Sequence, residues 1–152
     1  MQTVLFLCTG NYYRSRYAEV LFNWTAQECG LAWRAVSRGL APDPRNPGPM
    51  SPYTMAMLRM KGISIENHLR LPLVVTESDF GSSQHVVAVK EAEHRPMLQR
   101  NFPGWLERVE FWHVDDLDCY GPDEALPNLD REVSALVKRL SKTTPTGAGL
   151  KF

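Results

Sequence analysis

The chain has 152 residues, 17 of them basic and 17 acidic, so its formal net charge is zero. That balance excludes an electrostatic bias toward nucleic acid or an anionic membrane surface. The length fits one domain with a sizeable core, no apolar run approaches the ~20 residues of a membrane-spanning helix, and three dispersed cysteines describe no disulfide framework.

The first residues enter a strand directly, without the basic, apolar and small-residue order of a secretory leader. Together with the cysteine usage this predicts a cytoplasmic, reducing location. Residues 3–7 (TVLFL) form a short continuous apolar run of the kind buried in a parallel sheet. From Arg14 onward, Tyr17, Ala18, Leu21 and Phe22 recur at helical spacing. Between strand and helix lie Cys8, Thr9, Gly10, Asn11, Tyr12, Tyr13, Arg14 and Ser15.

A loop in that position presents backbone N–H groups and the positive end of a helix dipole to one point, which is a cradle for a phosphate-sized anion. The predicted phosphate-binding residues are Thr9, Gly10, Asn11, Tyr12, Tyr13, Arg14 and Ser15. Gly10 permits close backbone approach or a positive φ, and Asn11 tolerates the left-handed region better than most residues. A cysteine beside a helix N-terminus and a cation is held as the nucleophilic thiolate. Arg14 offers a planar fork for two phosphoryl oxygens, and Ser15 offers a hydroxyl to the sulfur. A nucleophile beneath a phosphate cradle points to phosphoryl transfer onto Cys8.

Farther along, residues 33–37 read as a second strand and 41–52 (APDPRNPGPMSP) as a proline-stiffened loop. Residues 53–60 read as a helix with Met55, Leu58 and Met60 as core filler. Thr76 and Asp79 have the spacing of a capping box, with Asp replacing the usual Glu or Gln. Strands follow at 85–89 and 109–114, with helical residues between them around 94–100. A last helix covers 128–140, where Leu129, Val133, Leu136, Val137 and Leu140 share a face. Residues 1–141 are expected to form the domain and 142–152 a frayed tail. Repeated strand–helix alternation implies right-handed crossovers and one parallel sheet covered on both faces, an α/β sandwich of three layers. Ligands bind such sheets at the carboxyl ends of the strands, where Cys8 stands.

The loop from Cys8 to Ser15 resembles the Cys-x5-Arg-Ser loop of the low-molecular-weight protein tyrosine phosphatases, including its Gly-Asn pair. The similarity continues through Arg16, Tyr17, Ala18 and Glu19, and through Ser37, Arg38 and Gly39. It implies a four-stranded parallel sheet in the order 2-1-3-4. It also implies a cysteine-dependent hydrolysis of phosphate monoesters, with protein phosphotyrosine as the leading substrate and no metal or cofactor. A phosphorylated protein or small aryl phosphate is then the partner.

Ester cleavage requires a proton for the leaving oxygen, commonly from an Asp. The acidic stretch after the fourth strand offers Asp115, Asp116 and Asp118. The related phosphatases carry the acid in an Asp-Pro dipeptide here; matching strand ends selects Asp116, with Asp118 and then Asp115 as alternatives, although Leu117 replaces the proline. A carboxyl donor must hold its proton, so an acid-side rate optimum is expected. Asp118 and Cys119 occupy positions where phosphotyrosine-directed relatives have aromatic walls, with Tyr120 close by. Tyr12 and Tyr13 can supply an aromatic wall from the loop itself. Tyr13 also replaces the second loop cysteine of many relatives, and Cys29 and Cys119 have no evident role.

Two other functions are compatible with the loop. One is a phosphate- or phosphopeptide-binding module without turnover. The other is arsenate reduction using an external thiol, since residues 76–100 contain no cysteine for an internal relay. The histidines 68, 85, 94 and 113 lack close metal-ligand spacing.

Overall fold

The computed structural model describes residues 1–116 and 122–143, with side chains of the last segment from 125 onward. Asp118, Cys119, Tyr120 and residues 144–152 of the expected tail lie outside the described residues. The elements are β1 (Gln2–Cys8), α1 (Arg14–Cys29), β2 (Trp33–Gly39), α2 (Pro52–Met60), α3 (Glu77–Gly81), β3 (His85–Ala88), α4 (Glu91–Asn101), β4 (Val109–Phe111) and α5 (Pro122–Thr143). The four strands form one parallel sheet in the order β2-β1-β3-β4. The expected sheet is therefore the observed one.

β1 is central, and that explains its uninterrupted apolar sequence. Successive side chains of a strand point to opposite faces. Val4, Phe6 and Cys8 join the core under α1 and α5, whereas Leu5 and Leu7 join the core under α3 and α4. Tyr17, Ala18, Leu21 and Phe22 of α1 meet Leu129, Val133, Leu136, Val137 and Leu140 of α5 in the first core. On the other face Phe80 stacks on Trp105 at 5.4 Å and tilts against Phe102 at 5.0 Å. Two buried faces leave only the ends of the strands open to a ligand.

Several boundaries differ from expectation. β4 stops at Phe111 instead of 114 because its partner β3 turns away into α4. Beyond it, Trp112 and Val114 still donate to Ala88 and Val89 carbonyls at 2.9 and 2.8 Å. α5 begins at Pro122 and runs through Pro127. A proline there deletes a single helical hydrogen bond, while Ala125, Leu126 and Leu129 bury their side chains around it. It also extends to Thr143, two residues into the expected tail. Met60 is 80% exposed and not core, because two residues along a helix turn the side chain by about 200° from Leu58. Met57 packs against the core in its place. The capping box of α3 is formed, with Thr76 and Asp79 bonded reciprocally. Among the described residues no helix is long and apolar enough to cross a membrane.

The sheet register fixes the loop after β1. Cys8 pairs with Gly39 at the end of β2, and Leu40 and Ala41 donate to the carbonyls of Cys8 and Thr9, each at 2.9 Å. A Cβ on Gly39 would stand 2.9 Å from the Thr9 carbonyl oxygen and 3.0 Å from the Asn11 Cβ. Neither neighbour belongs to a flexible side-chain end. Gly39→Ala is expected to lower unfolding stability by about 1–3 kcal/mol through overpacking, which chemical denaturation checks.

Candidate active site

Asn11 holds the loop together. Its φ of 50° lies in the left-handed region, which Asn enters more readily than other side-chain-bearing residues. Gly10 has no positive φ, and a Cβ there would meet only ordinary contacts; the conformational burden falls on Asn11 alone. The side chain of Asn11 is fully buried and completely bonded. Its amide nitrogen donates to Ser15 Oγ and Ser37 Oγ, both at 2.9 Å, and its oxygen accepts from Arg70 Nη1 and Leu73 N, both at 3.0 Å. Arg70 and a backbone N–H can only donate, so the orientation of the amide is unambiguous.

That orientation passes on to the sulfur. Glu19 accepts from Ser37 at 2.5 Å and from Arg16 at 2.7 Å, which leaves Ser37 as acceptor toward Asn11. Ser15 likewise accepts from Asn11, so its own proton is available to Cys8 Sγ, 3.0 Å away. The Asn11 backbone N–H donates to the same sulfur at 3.3 Å. Cys8 is thus a buried thiol sulfur that receives donors from the loop behind it. Burial first, and then Arg16 nearby, push Arg70 down to about 10, which leaves it cationic at neutral pH.

Arg14 is almost entirely buried at the start of α1. Its Nη1 donates to the Val114 carbonyl at 2.9 Å, and its Nη2 to Glu93 at 2.8 Å and toward Asp116 at 3.5 Å. Burial opposes its charge, but Cys8, Glu93 and Asp116 outweigh burial and raise its pKa. Glu93 also accepts from Thr9 Oγ1, and His94 Nε2 lies 3.1 Å from it. Burial favours neutral His94, lowering its pKa against the pull of Glu93. Because Nδ1 accepts from the Lys90 N–H at 3.1 Å, the single ring proton sits on Nε2 and faces Glu93.

A cleft of about 330 Å³ opens above the sulfur, lined by Cys8, Gly10, Tyr12, Tyr13, Arg14, Asn46 and Asp116. The structure therefore brings together Cys8, Arg14 and Asp116. Asp115 instead pairs with Lys90 and does not line the cleft. Thr9 turns its hydroxyl away toward Glu93 and His94. Tyr12 donates to the Pro47 carbonyl at 2.7 Å, and Tyr13 buries its ring while still lining the cleft. Burial and then the Asp116 carboxylate push the Tyr13 phenol up to about 12, so it stays protonated. No cluster of metal-ligating side chains occurs among the described residues.

Asn46, Arg70 and Glu93 escaped the sequence reading, which weighed His94 only as a metal ligand. Glu93 and His94 occupy the first turn of the helix after β3, at the carboxyl edge where site residues gather in such sheets; that rule points to them. Asn46 and Arg70 lie in irregular segments and carry no periodic signature.

A family model described as "Low molecular weight phosphotyrosine protein phosphatase" matches residues 3–145. The chain is 31% identical over 147 residues to the protein-arginine-phosphatase of Bacillus subtilis (strain 168), covering 91% of this chain and 94% of the relative. It is similar to a crystal structure of a YwlE mutant from Bacillus subtilis at 26% identity and a TM-score of 0.73, covering 94% and 98% of the two chains. A crystal structure of YfkJ from Bacillus subtilis shares the fold at a TM-score of 0.82 and 24% identity, covering 95% and 97%.

Burial raises the Glu93 carboxyl, but hydrogen bonds from His94, Arg14 and Thr9 overcome it and hold the group well below the usual carboxylate range. A depressed pKa contributes stability above the unfolded value, about 4.3 for Glu, and loses it as pH falls toward the folded value. Glu93→Gln is expected to cost about 1–3 kcal/mol at neutral pH. The difference from wild type should shrink below about pH 4, as read by urea titrations across pH.

Proposed function

Since the chain belongs to the low-molecular-weight phosphotyrosine protein phosphatase family, we propose that it works through a cysteinyl-phosphate on Cys8. The observation that carries this reading is the convergence of Cys8, Arg14 and Asp116 on one cleft. In the first step the Cys8 thiolate attacks phosphorus in line, the bond to the leaving oxygen breaks, and Asp116 gives that oxygen its proton. In the second, water attacks phosphorus, Asp116 takes a proton from it, and the thiolate departs.

Arg14 and the loop amides of residues 9–15 other than that of Asn11 hold the equatorial oxygens and stabilise charge that grows in the transition state. Ser15 and the Asn11 N–H, at 3.0 and 3.3 Å from the sulfur, stabilise the thiolate as nucleophile and as leaving group. Asp116 is preferred over Asp115 because it lines the cleft beside Cys8, whereas Asp115 pairs with Lys90 and does not. The reaction needs no metal or cofactor, and a reducing compartment such as the cytoplasm would keep the Cys8 thiol active.

The cleft walls support an aryl phosphate as the substrate class. Tyr12 and Tyr13 line the cleft together with Cys8, and aromatic side chains favour the ring of a phosphotyrosine or aryl phosphate. A second reading, phosphoarginine on a protein, is favoured by the identity to the protein-arginine-phosphatase and by a carboxylate at Asp116 that can meet a guanidinium. Parallel kinetics on matched phosphotyrosine and phosphoarginine peptides distinguish them; a kcat/KM advantage for phosphoarginine would overturn the first.

Hydrolysis of para-nitrophenyl phosphate across about pH 4 to 8 is expected to peak on the acid side, where a carboxyl donor carries its proton. Cys8→Ser should abolish turnover. Arg14→Lys should lower kcat/KM at least ~100-fold, because a point charge cannot reproduce a bidentate fork. Phosphate binding without Cys8-dependent hydrolysis would instead establish a binding module, and thiol-dependent arsenate turnover would establish a reductase.

A further inference from the structure

Half of the large hydrophobic side chains exposed among the described residues fall within one short segment, Leu69, Leu71, Leu73 and Val74, with Leu71 69% exposed. This segment is fixed to the body. The Leu73 N–H donates to Asn11, Gly39 N–H donates to the Leu73 carbonyl at 2.8 Å, and Val75 N–H donates to the Gly39 carbonyl at 2.9 Å. Arg70, between the leucines, runs inward to Asn11 and Ser37. Buried polar anchors thus hold a row of apolar side chains in water, an arrangement characteristic of a contact surface.

Beside that row lies a groove of about 310 Å³, walled by Pro42, Asp43, Pro44, Asn46, Leu71 and Pro72. The size is at the lower end of ligand cavities, about 300–1,000 Å³, and suits one or two side chains. Three of its walls are prolines, whose fixed φ and missing N–H make a preformed surface with few polar groups to desolvate. Asn46 is common to this groove and to the cleft above Cys8, so the two adjoin across it. The rim at Asp116, by contrast, leads to the charged Lys90–Asp115 pair.

We propose that this groove receives an apolar side chain flanking the phosphorylated residue of the substrate protein. The proposal rests on the phosphatase reading above and specifies its substrate. A phosphorylated side chain in the cleft leaves its own backbone at the rim. The chain then advances about 3.3 Å per extended residue, so a neighbouring residue is the one that reaches across Asn46. A small aryl phosphate has no such neighbour and gains nothing from the groove.

The test compares three substrates on wild type, Leu71→Ala and Leu71→Asp. They are para-nitrophenyl phosphate and two sets of phosphopeptides, carrying phosphotyrosine or phosphoarginine, that place leucine or aspartate at each flanking position in turn. Wild type is expected to prefer leucine about tenfold in kcat/KM at one flanking position, chiefly through KM, on whichever phosphorylated side chain it hydrolyses. Leu71→Asp should erase that preference and Leu71→Ala reduce it, both with unchanged para-nitrophenyl phosphate turnover and thermal unfolding. Peptide hydrolysis indifferent to the flanking residue overturns the groove while leaving the phosphatase reading intact. So does a Leu71-dependent dimer in sedimentation without a flanking preference, which would make the surface a contact between copies. Absence of Cys8-dependent turnover of any of these substrates overturns the phosphatase reading itself.

Discussion

The left-handed turn at Asn11 is the constraint on which the site depends. A residue with a side chain in that backbone region costs about 1–3 kcal/mol, less for Asn than for most. Four side-chain hydrogen bonds, each contributing about 0.5–1.5 kcal/mol net, offset it. The bonds come from three separate parts of the chain: α1 through Ser15, β2 through Ser37, and the segment before α3 through Arg70 and Leu73. Closing the turn therefore requires the fold to be complete. Once closed, it directs the Asn11 N–H and the Ser15 hydroxyl at one sulfur. With Glu19 accepting from Ser37, and the Asn11 amide donating to both Ser37 and Ser15, those hydroxyls have no freedom in how they point.

A second layer of charge surrounds the turn. Arg14 and Arg16 are both fully or almost fully buried, and a buried cation is costly unless paired. Glu93 and Glu19 perform that pairing at 2.8 and 2.7 Å respectively. The two pairs have different positions relative to the cleft. Arg14 lines it and keeps Asp116 within 3.5 Å, whereas Arg16 and Glu19 support the turn from behind. Glu93 and the Val114 carbonyl together hold the Arg14 guanidinium in place at the cleft.

The sequence made the sheet and much of the loop legible because both depend on local chemistry. A doubly buried central strand must be continuously apolar, and the residues of β1 are. A short loop between strand and helix keeps its residues close in space, and Cys8, Gly10, Tyr12, Tyr13 and Arg14 line one cleft. What escaped was long-range. Arg70 reaches Asn11 across 59 positions and Glu93 reaches Arg14 across 79, and neither separation leaves a periodic trace. The last helix begins at Pro122 instead of the expected 128 and carries Pro127 inside it, where burial of α5 on α1 outweighs the preference of proline against helix interiors. Met60 shows the converse, a hydrophobic residue whose helical angle, not its type, decided its exposure.

The account stands or falls on the sulfur of Cys8 as the atom that takes the phosphoryl group. The direct measurement is rapid acid quenching of the enzyme during turnover of an aryl phosphate, followed by peptide mapping of the phosphorylated residue. A phosphate recovered on Cys8, formed within the first turnover and lost at the rate of product release, is the predicted result. Active enzyme that carries phosphate on another residue, or on none when turnover is stopped at saturation with the second step limiting, would contradict it.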